Sequence, residues 1–351
     1  MDPNRWNNAL RLVAMLTFTA ALMTLGACSS GESSGQSATV VPDRLALRSS
    51  TAKVARAVAE LHSGDRVTVL ERLEDGGTSW AKLRAPNGQT GWVEASYLVN
   101  QDVIDRSRRI ADEVKQIQAQ AVGRSKARLK LRLTPERSAD DNVATMLPAG
   151  TPLEIIDRER RPRPAAPDAK GATQPAANAK EGDESGGTKY DEWYKVRLKD
   201  NALLPAGWIY AGSVELEIPP EISYYVSSGR RIIGWQKLGS AQDDRGRSGD
   251  HYLVLERWTS SSDDKHDFDR MQVLAYAPAA RDYGVPFRED LHGRFPVVVK
   301  MEGNHGTFQV TAIDKNDQAQ TLNYSVDLQE DGRVSVKRLT PKEPTHGKRK
   351  R

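Results

Sequence analysis

Two stretches of this 351-residue chain carry the same parts in the same order. Self-similarity of this kind is the signature of one supersecondary unit built twice, so it limits the fold more than any other feature. The first copy opens on Leu45-Ala46-Leu47-Arg48 and the second on Leu129-Lys130-Leu131-Arg132. Each continues to a short apolar segment, a Gly turn and a second apolar segment. These are Val58-Ala59-Glu60-Leu61, Gly64 and Val67-Thr68-Val69-Leu70 in one copy. In the other they are Val143-Ala144-Thr145-Met146-Leu147, Gly150 and Leu153-Glu154-Ile155-Ile156. Next come Trp80-Ala81-Lys82-Leu83-Arg84 and Trp193-Tyr194-Lys195-Val196-Arg197, and the copies close on Gly91-Trp92-Val93 and Gly207-Trp208-Ile209. Alternation with period two, in short segments bounded by Gly and polar turns, predicts small all-β barrels. In Trp80-Ala81-Lys82-Leu83 successive side chains face opposite sides of the pleat. A barrel of about 60 residues has a small core, and Trp80, Trp92, Trp193 and Trp208 are expected to fill it.

The Leu-x-Leu-Arg opening, the Gly turn, the Trp-x-Lys strand and above all the closing Gly-Trp-Val and Gly-Trp-Ile resemble the bacterial Src-homology-3 (SH3) domain. The resemblance implies two SH3-like barrels, at residues 39–100 and 126–217, with a binding role toward peptidoglycan or envelope proteins. It also implies that exposed aromatics near the variable loops would take the ligand, which singles out Tyr97 and Tyr210. The second copy departs from the pattern by an insertion at 158–190, where the first has only the loop around Glu74-Asp75-Gly76-Gly77. The insertion is dense in Pro, Ala, Lys, Gly and Asp, buries too little apolar surface to offset its ordering, and is expected to be disordered. Its Pro164-Ala165-Ala166-Pro167, with Arg161 and Arg163 upstream, has the look of an SH3 ligand, but the loops at Leu45 and Leu129 lack groove-lining tyrosines, so a linker is the preferred reading.

Between the barrels Val103, Ile110, Val114, Ile117 and Ala121 recur at helical spacing without Pro, which predicts one amphipathic linker helix over 101–122. From residue 220 to 340 the pattern is that of strands alone. The segments Ile222–Val226, Ile232–Leu238, Tyr252–Trp258, Met271–Tyr276, Pro296–Met301, Thr307–Ile313, Thr321–Leu328 and Val334–Leu339 are separated by turn signals that include Asn304-His305-Gly306 and Asp331-Gly332. They predict a carboxy-terminal antiparallel meander curled into a sandwich or barrel, followed by a basic tail at 341–351. The fold class is thus mainly β throughout.

The amino terminus has Arg5 and Arg11 ahead of an uncharged, largely apolar run, Leu12–Thr24, which is signal-peptide length and short for a membrane span. Leu25-Gly26-Ala27-Cys28 then resembles a lipobox. That implies a signal peptide at 1–27, a lipid on Cys28, a Ser- and Gly-rich tether at 28–38, and a place in the cell envelope. In a host with two membranes, Ser29 after the cysteine implies the outer membrane, facing the periplasm. Cys28 is the single cysteine, so no disulfide framework holds the exported domains.

Catalytic constellations are sparse. With Cys28 given to lipid there is no thiol for nucleophilic catalysis. Ser50-Thr51-Ala52-Lys53 matches S-x-x-K without its S-x-N or K-T-G partners, and H-E-x-x-H and phosphate loops are missing. Asp263, Asp264, His266, Asp267 and Asp269 have the chemistry of a divalent-cation site, but a solvated loop is the preferred reading. His251, His292 and His305 have no triad spacing. A net charge of +4 suits anionic envelope polymers and does not argue for nucleic acid. The expectation is a non-enzymatic envelope lipoprotein without cofactor or metal, whose SH3-like domains bind peptidoglycan or envelope proteins. The alternatives are a structural subunit or activator of an envelope complex, or an enzyme with its site in the carboxy-terminal domain, toward which the acidic-His run and Asp243-Asp244-Arg245-Gly246-Arg247 point.

Overall fold

The structure, a computed structural model, describes residues 35–52, 54–137, 142–163, 190–260 and 265–339. The expected signal peptide, Cys28, the Pro164–Pro167 segment, Lys53, Asp263, Asp264 and the basic tail lie outside the described residues. The chain divides into two compact units. The smaller holds residues up to Ala38, Arg44–Leu61 and Asp65–Ala95; the larger holds Thr39–Asp43, His62–Gly64 and everything from Ser96 on.

The first repeat builds β1 (Gln36–Val40), β2 (Arg44–Arg48), β3 (Ala57–His62), β4 (Arg66–Asp75), β5 (Thr78–Arg84), β6 (Thr90–Glu94) and β7 (Leu98–Val99), in the sheet order β3-β2-β6-β5-β4-β1-β7. Three residues of the expected tether, Gln36–Ala38, therefore belong to a strand. After α1 (Gln101–Glu113) the second repeat builds β8 (Ala121–Ser125), β9 (Leu129–Arg132), β10 (Val143–Leu147), β11 (Pro152–Pro162), β12 (Tyr190–Arg197), β13 (Ala206–Tyr210) and β14 (Val214–Leu216). Its order, β10-β9-β13-β12-β11-β8-β14, is that of the first sheet strand for strand.

The two sequence motifs of the repeat depend on each other through one close approach. A Cβ on Gly91 would sit 2.6 Å from the Arg48 carbonyl oxygen, and one on Gly207 would sit 2.7 Å from that of Arg132. Each Gly-Trp strand thus crosses the Leu-x-Leu-Arg strand where only glycine fits. The apolar ends of that opening, Leu47 and Leu131, are fully buried beneath.

The linker helix is shorter than its apolar spacing predicts. Asn100 caps it, accepting from the Val103 amide at 2.9 Å, and Ser107 on its buried side donates to the Ala206 carbonyl at 2.6 Å. It ends at Glu113 rather than 122, because Gln120 and Ala121 are drawn into the second sheet. The Gln120 amide donates to Ile155 at 2.7 Å, and Ala121–Ser125 pairs with both β11 and β14. The expected insertion is shorter as well. β11 and β12 stay paired out to Pro162 opposite Tyr190, so residues 158–162 and 190 are sheet.

The remaining strands form one meander in chain order: β15 (Arg230–Gln242), β16 (Ser248–Trp258), β17 (Phe268–Ala277), β18 (Asp282–Glu302), β19 (His305–Ile313), β20 (Ala319–Leu328) and β21 (Val334–Leu339). Ile222–Val226, expected as a strand, instead enters a one-turn helix, α2 (Pro220–Ser223), where Pro220 presets the first helical position. β18 is far longer than its apolar part. Its first half pairs with β17 and its second with β19, the β19 register breaking between Arg294 and Val298. The sheet curls until a Cβ on Gly239 in β15 would lie 2.4 Å from Leu328 in β20. Phe268, Met271, Val297, Phe308 and Tyr324 fill the space inside. The opposite face of β15–β17, with Trp235, Tyr252, Val254 and Leu274, shares one core with Leu131, Ile155, Val196 and Ile209 of the second barrel.

A buried glutamine at the start of the second barrel is bonded to the third sheet. Gln120 is completely buried. Its side-chain oxygen accepts from the Val297 amide at 2.8 Å and its side-chain nitrogen donates to the Val297 carbonyl at 3.0 Å. Its backbone carbonyl accepts from the Trp235 amide at 2.6 Å. Val297 lies in the register break of β18, so the Gln120 amide stands in for the missing strand partner. Gln120→Leu keeps the volume and strands the Val297 amide, while the Val297 carbonyl keeps its bond from Gln236; it is expected to lower unfolding free energy by about 2 kcal/mol, read as a shifted urea midpoint.

Candidate functional site

The burial pattern of the first barrel turns its tryptophans outward. Ala81, Leu83 and Val93 are the buried members of β5 and β6. By the period of two, Trp80, Lys82 and Trp92 must then lie on the other face, and all three are half-buried. This corrects the expectation that they fill the core. Cross-strand register sets Leu73 of β4 opposite Trp80, and Lys82 opposite Trp92, with Arg48 opposite Trp92 from β2. Trp80 and Trp92 are diagonal neighbours, within reach of one another's rings. Leu73 is 42% exposed. The result is a strip Leu73–Trp80–Trp92 running across three strands, flanked by Lys82, whose ammonium lies 5.9 Å from the Trp92 ring centre.

In the second barrel the same positions are sealed. Trp193 and Trp208 are buried. Tyr210 meets Trp193 edge-on at 6.0 Å, the Arg132 guanidinium lies 5.9 Å from the Trp193 ring centre, and Lys195 covers Trp208 at 5.0 Å. Leu73 has its counterpart in Glu159, which pairs with Trp193. Of the two tyrosines singled out from sequence, Tyr210 is half-buried beneath the Arg137 guanidinium at 4.5 Å. Tyr97 sits in a single 3₁₀ turn, Ala95–Tyr97, under Arg128 at 5.2 Å. It lines a cavity of about 330 Å³ with Pro42, Met146, Leu147 and Pro148, all within the larger unit. The structure does not bring Tyr97 and Tyr210 into one site. The aromatic strip went unread because Trp was equated with core; the alternation Trp80-Ala81-Lys82-Leu83 was the signal that finds it.

The acidic-His run of the third sheet is not the solvated loop expected. His266 and Asp269 are buried. The carboxylates serve the backbone: Asp267 accepts from the Phe295 amide at 2.8 Å and Asp269 from the Trp258 amide at 2.8 Å. Two buried arginines hold the run in place. Arg257 donates to the His266 carbonyl, and to the Asp267 carbonyl at 3.1 Å. Arg158 of the second barrel donates to the Asp267 carbonyl at 3.2 Å and to Glu192 at 2.7 Å. Burial pushes Asp267 up, against the pull of Arg158, and burial together with Arg158 and Arg160 brings Arg257 down to about 10. No trio of His, Cys, Asp or Glu among the described residues is placed to hold a metal ion.

The other candidates resolve into structural roles. The Asp243 carboxylate accepts from the Arg245 and Arg247 amides at 2.9 Å each, which explains the Asp-Asp-Arg-Gly-Arg turn. His251 is buried and its Nδ1 accepts from the Tyr276 amide at 3.1 Å, while His305 pairs with Asp327 at 2.7 Å. Ser50–Ala52 lie in the loop between β2 and β3.

Asp157, opposite Lys195 on β12, has its carboxyl pushed up to about 6 by burial, although the Arg158 amide and Lys195 oppose the shift. A carboxyl with a raised native pKa binds its proton more tightly folded than unfolded. Stability from this group is therefore full below its ordinary value of 3.8 and is lost as pH rises toward 6. Asp157→Asn is expected to stabilise the protein at pH 7 by on the order of 2 kcal/mol, with the gain vanishing near pH 4, when urea unfolding of both proteins is compared across pH.

Among known proteins, no curated protein matches the chain. Residues 43–99, from the start of β2 to the end of β7, match the family model of the bacterial SH3 domain. The first barrel is thus a bacterial SH3 domain, the outward tryptophans belong to it, and the match points to a binding function.

Proposed function

We propose that this chain is a non-enzymatic, lipid-anchored protein of the cell envelope whose first barrel binds peptidoglycan. The observation that carries the reading is the strip Leu73–Trp80–Trp92 on the matched domain. Half-buried aromatics on a rigid sheet give contact area at little entropic cost, and Lys82 with Arg48 beside them suits the carboxylates of wall peptides. The second barrel is proposed to be of the same type, supported by its identical strand order; its sealed tryptophans and its core shared with the third sheet fit a scaffold better than a second ligand face. Binding of an envelope protein is the other reading that such a domain supports.

The expected retention of the lipid-free chain on purified peptidoglycan survives high salt, because charge-only attraction is screened. Trp80→Ala or Trp92→Ala is expected to weaken it ten-fold or more, in the range of an aromatic hot spot, whereas Tyr97→Ala and Tyr210→Ala bind as the parent does. Retention equal in all variants would overturn the aromatic strip, and no retention would move the proposal to a protein partner.

The anchor is supported by the lipobox at Leu25–Cys28. No helix of the described residues is long and apolar enough to cross a membrane. Cys28→Ser is expected to shift the protein from the membrane fraction to the soluble envelope fraction and to abolish incorporation of labelled palmitate; an unchanged distribution would refute lipid anchoring.

A further inference from the structure

The third sheet holds a cavity of about 450 Å³ that the SH3 domain does not explain, lined by Arg230, Trp258, His266, Asp269, Asp290, Leu291 and His292. Its aromatic wall is Trp258 at the end of β16, which keeps 44% of its surface exposed. The ring is held in a fixed plane. The Arg230 guanidinium lies 4.1 Å from its centre, and Gly229 passes so close that a Cβ there would lie 2.9 Å from the indole. His266 and His292 stack almost parallel at 4.2 Å and form another wall.

The charges in this cavity are already matched. Asp269 pairs with Arg230. Asp290 takes a two-pronged bond from Arg270, at 2.5 and 2.9 Å. A small anion would have to displace Asp269 from the arginine, and a cation would meet carboxylates that are already taken. The lining still offers hydrogen bonds. His292 is exposed, and its ring nitrogens can donate or accept. Asp290 is exposed, and carboxylate oxygens accept more than one bond.

A flat aromatic wall facing carboxylate, guanidinium and imidazole groups, without net charge, suits a ligand with one apolar face and a rim of hydroxyls. We infer that this cavity is a binding site for a neutral sugar ring, which stacks its C–H face on Trp258 and shares hydroxyl hydrogen bonds with Asp290 and His292. Its size is that of a small-ligand pocket with few, convergent polar groups. The site is separate from the barrel strip and stands or falls without it.

The test is titration of the full chain, purified in detergent, with tri-N-acetylglucosamine and with a glucose trisaccharide, followed by tryptophan fluorescence and calorimetry. Saturable binding of at least one sugar is expected. Trp258→Ala should weaken it ten-fold or more, Trp258→Phe should retain most of it, and Asp290→Ala should weaken it without changing thermal stability. Trp80→Ala should bind the sugar as the parent does, so loss of peptidoglycan retention with sugar binding intact separates the two sites. If Trp258→Ala unfolds the sheet, the Trp258→Phe and Asp290→Ala pair decides alone. No binding of either sugar at tens of millimolar, equal affinity in Asp290→Ala, or saturable binding of inorganic phosphate in place of sugar would overturn the inference.

Discussion

A buried carboxamide sets how the second barrel meets the third sheet. Gln120 lies where the second barrel begins and the linker ends, and its side-chain amide binds both polar groups of Val297. A buried backbone amide or carbonyl without a partner is costly, and the register break in β18 leaves such a pair behind. Glutamine has an acceptor and a donor at one terminus, so it completes the ladder as a strand would. Gln236 adds a second donor to the same carbonyl at 2.8 Å. The shared core of Leu131, Ile155, Trp235 and Val254 is then closed around a satisfied polar centre. The hydrophobic contact supplies the bulk of the attraction; the amide dictates where along β18 the barrel sits.

Much of the fold was legible because a β-strand writes its environment with period two. Five of the seven strands of each repeat, the Gly turns and the hairpins of the third sheet follow from it. What escaped was polar or irregular. The first half of β18, Asp282–Arg294, alternates without much apolar content because one of its faces is wet, and no hydrophobic pattern marks it. The linker helix was overextended because Val114, Ile117 and Ala121 keep a helical spacing while serving as barrel residues. Strand pairing of Ala121–Ser125 outweighs that local spacing, since tertiary contacts override propensity.

The candidate site was half-legible. Trp80, Lys82 and Trp92 were seen, but their face was not, because the rule that large aromatics lie inside was applied before the alternation was followed to its end. The buried His266 and Asp269 could not be placed from sequence at all. Arg158, which bonds Asp267 between them, lies 109 residues away in another sheet, and no local pattern encodes a long-range ion pair. Such networks are expensive to bury and are kept for geometry rather than stability. Here Arg158 binds Asp267, whose carboxylate accepts from the Phe295 amide, while Asp269 pairs with the Arg230 that lies over Trp258.

The hairpin of β11 and β12 has a wider meaning. Its last rung pairs Pro162 with Tyr190, so the chain leaves the second barrel and returns to it at neighbouring positions, whatever lies between. The entropy of closing a loop grows only with the logarithm of its length. A port of this kind accepts sequence of almost any size without altering the barrel's register. The second barrel is in that sense a socket, in which peptide can be lengthened, exchanged or replaced by a whole domain while Trp193, Trp208 and the Gln120 junction keep their places.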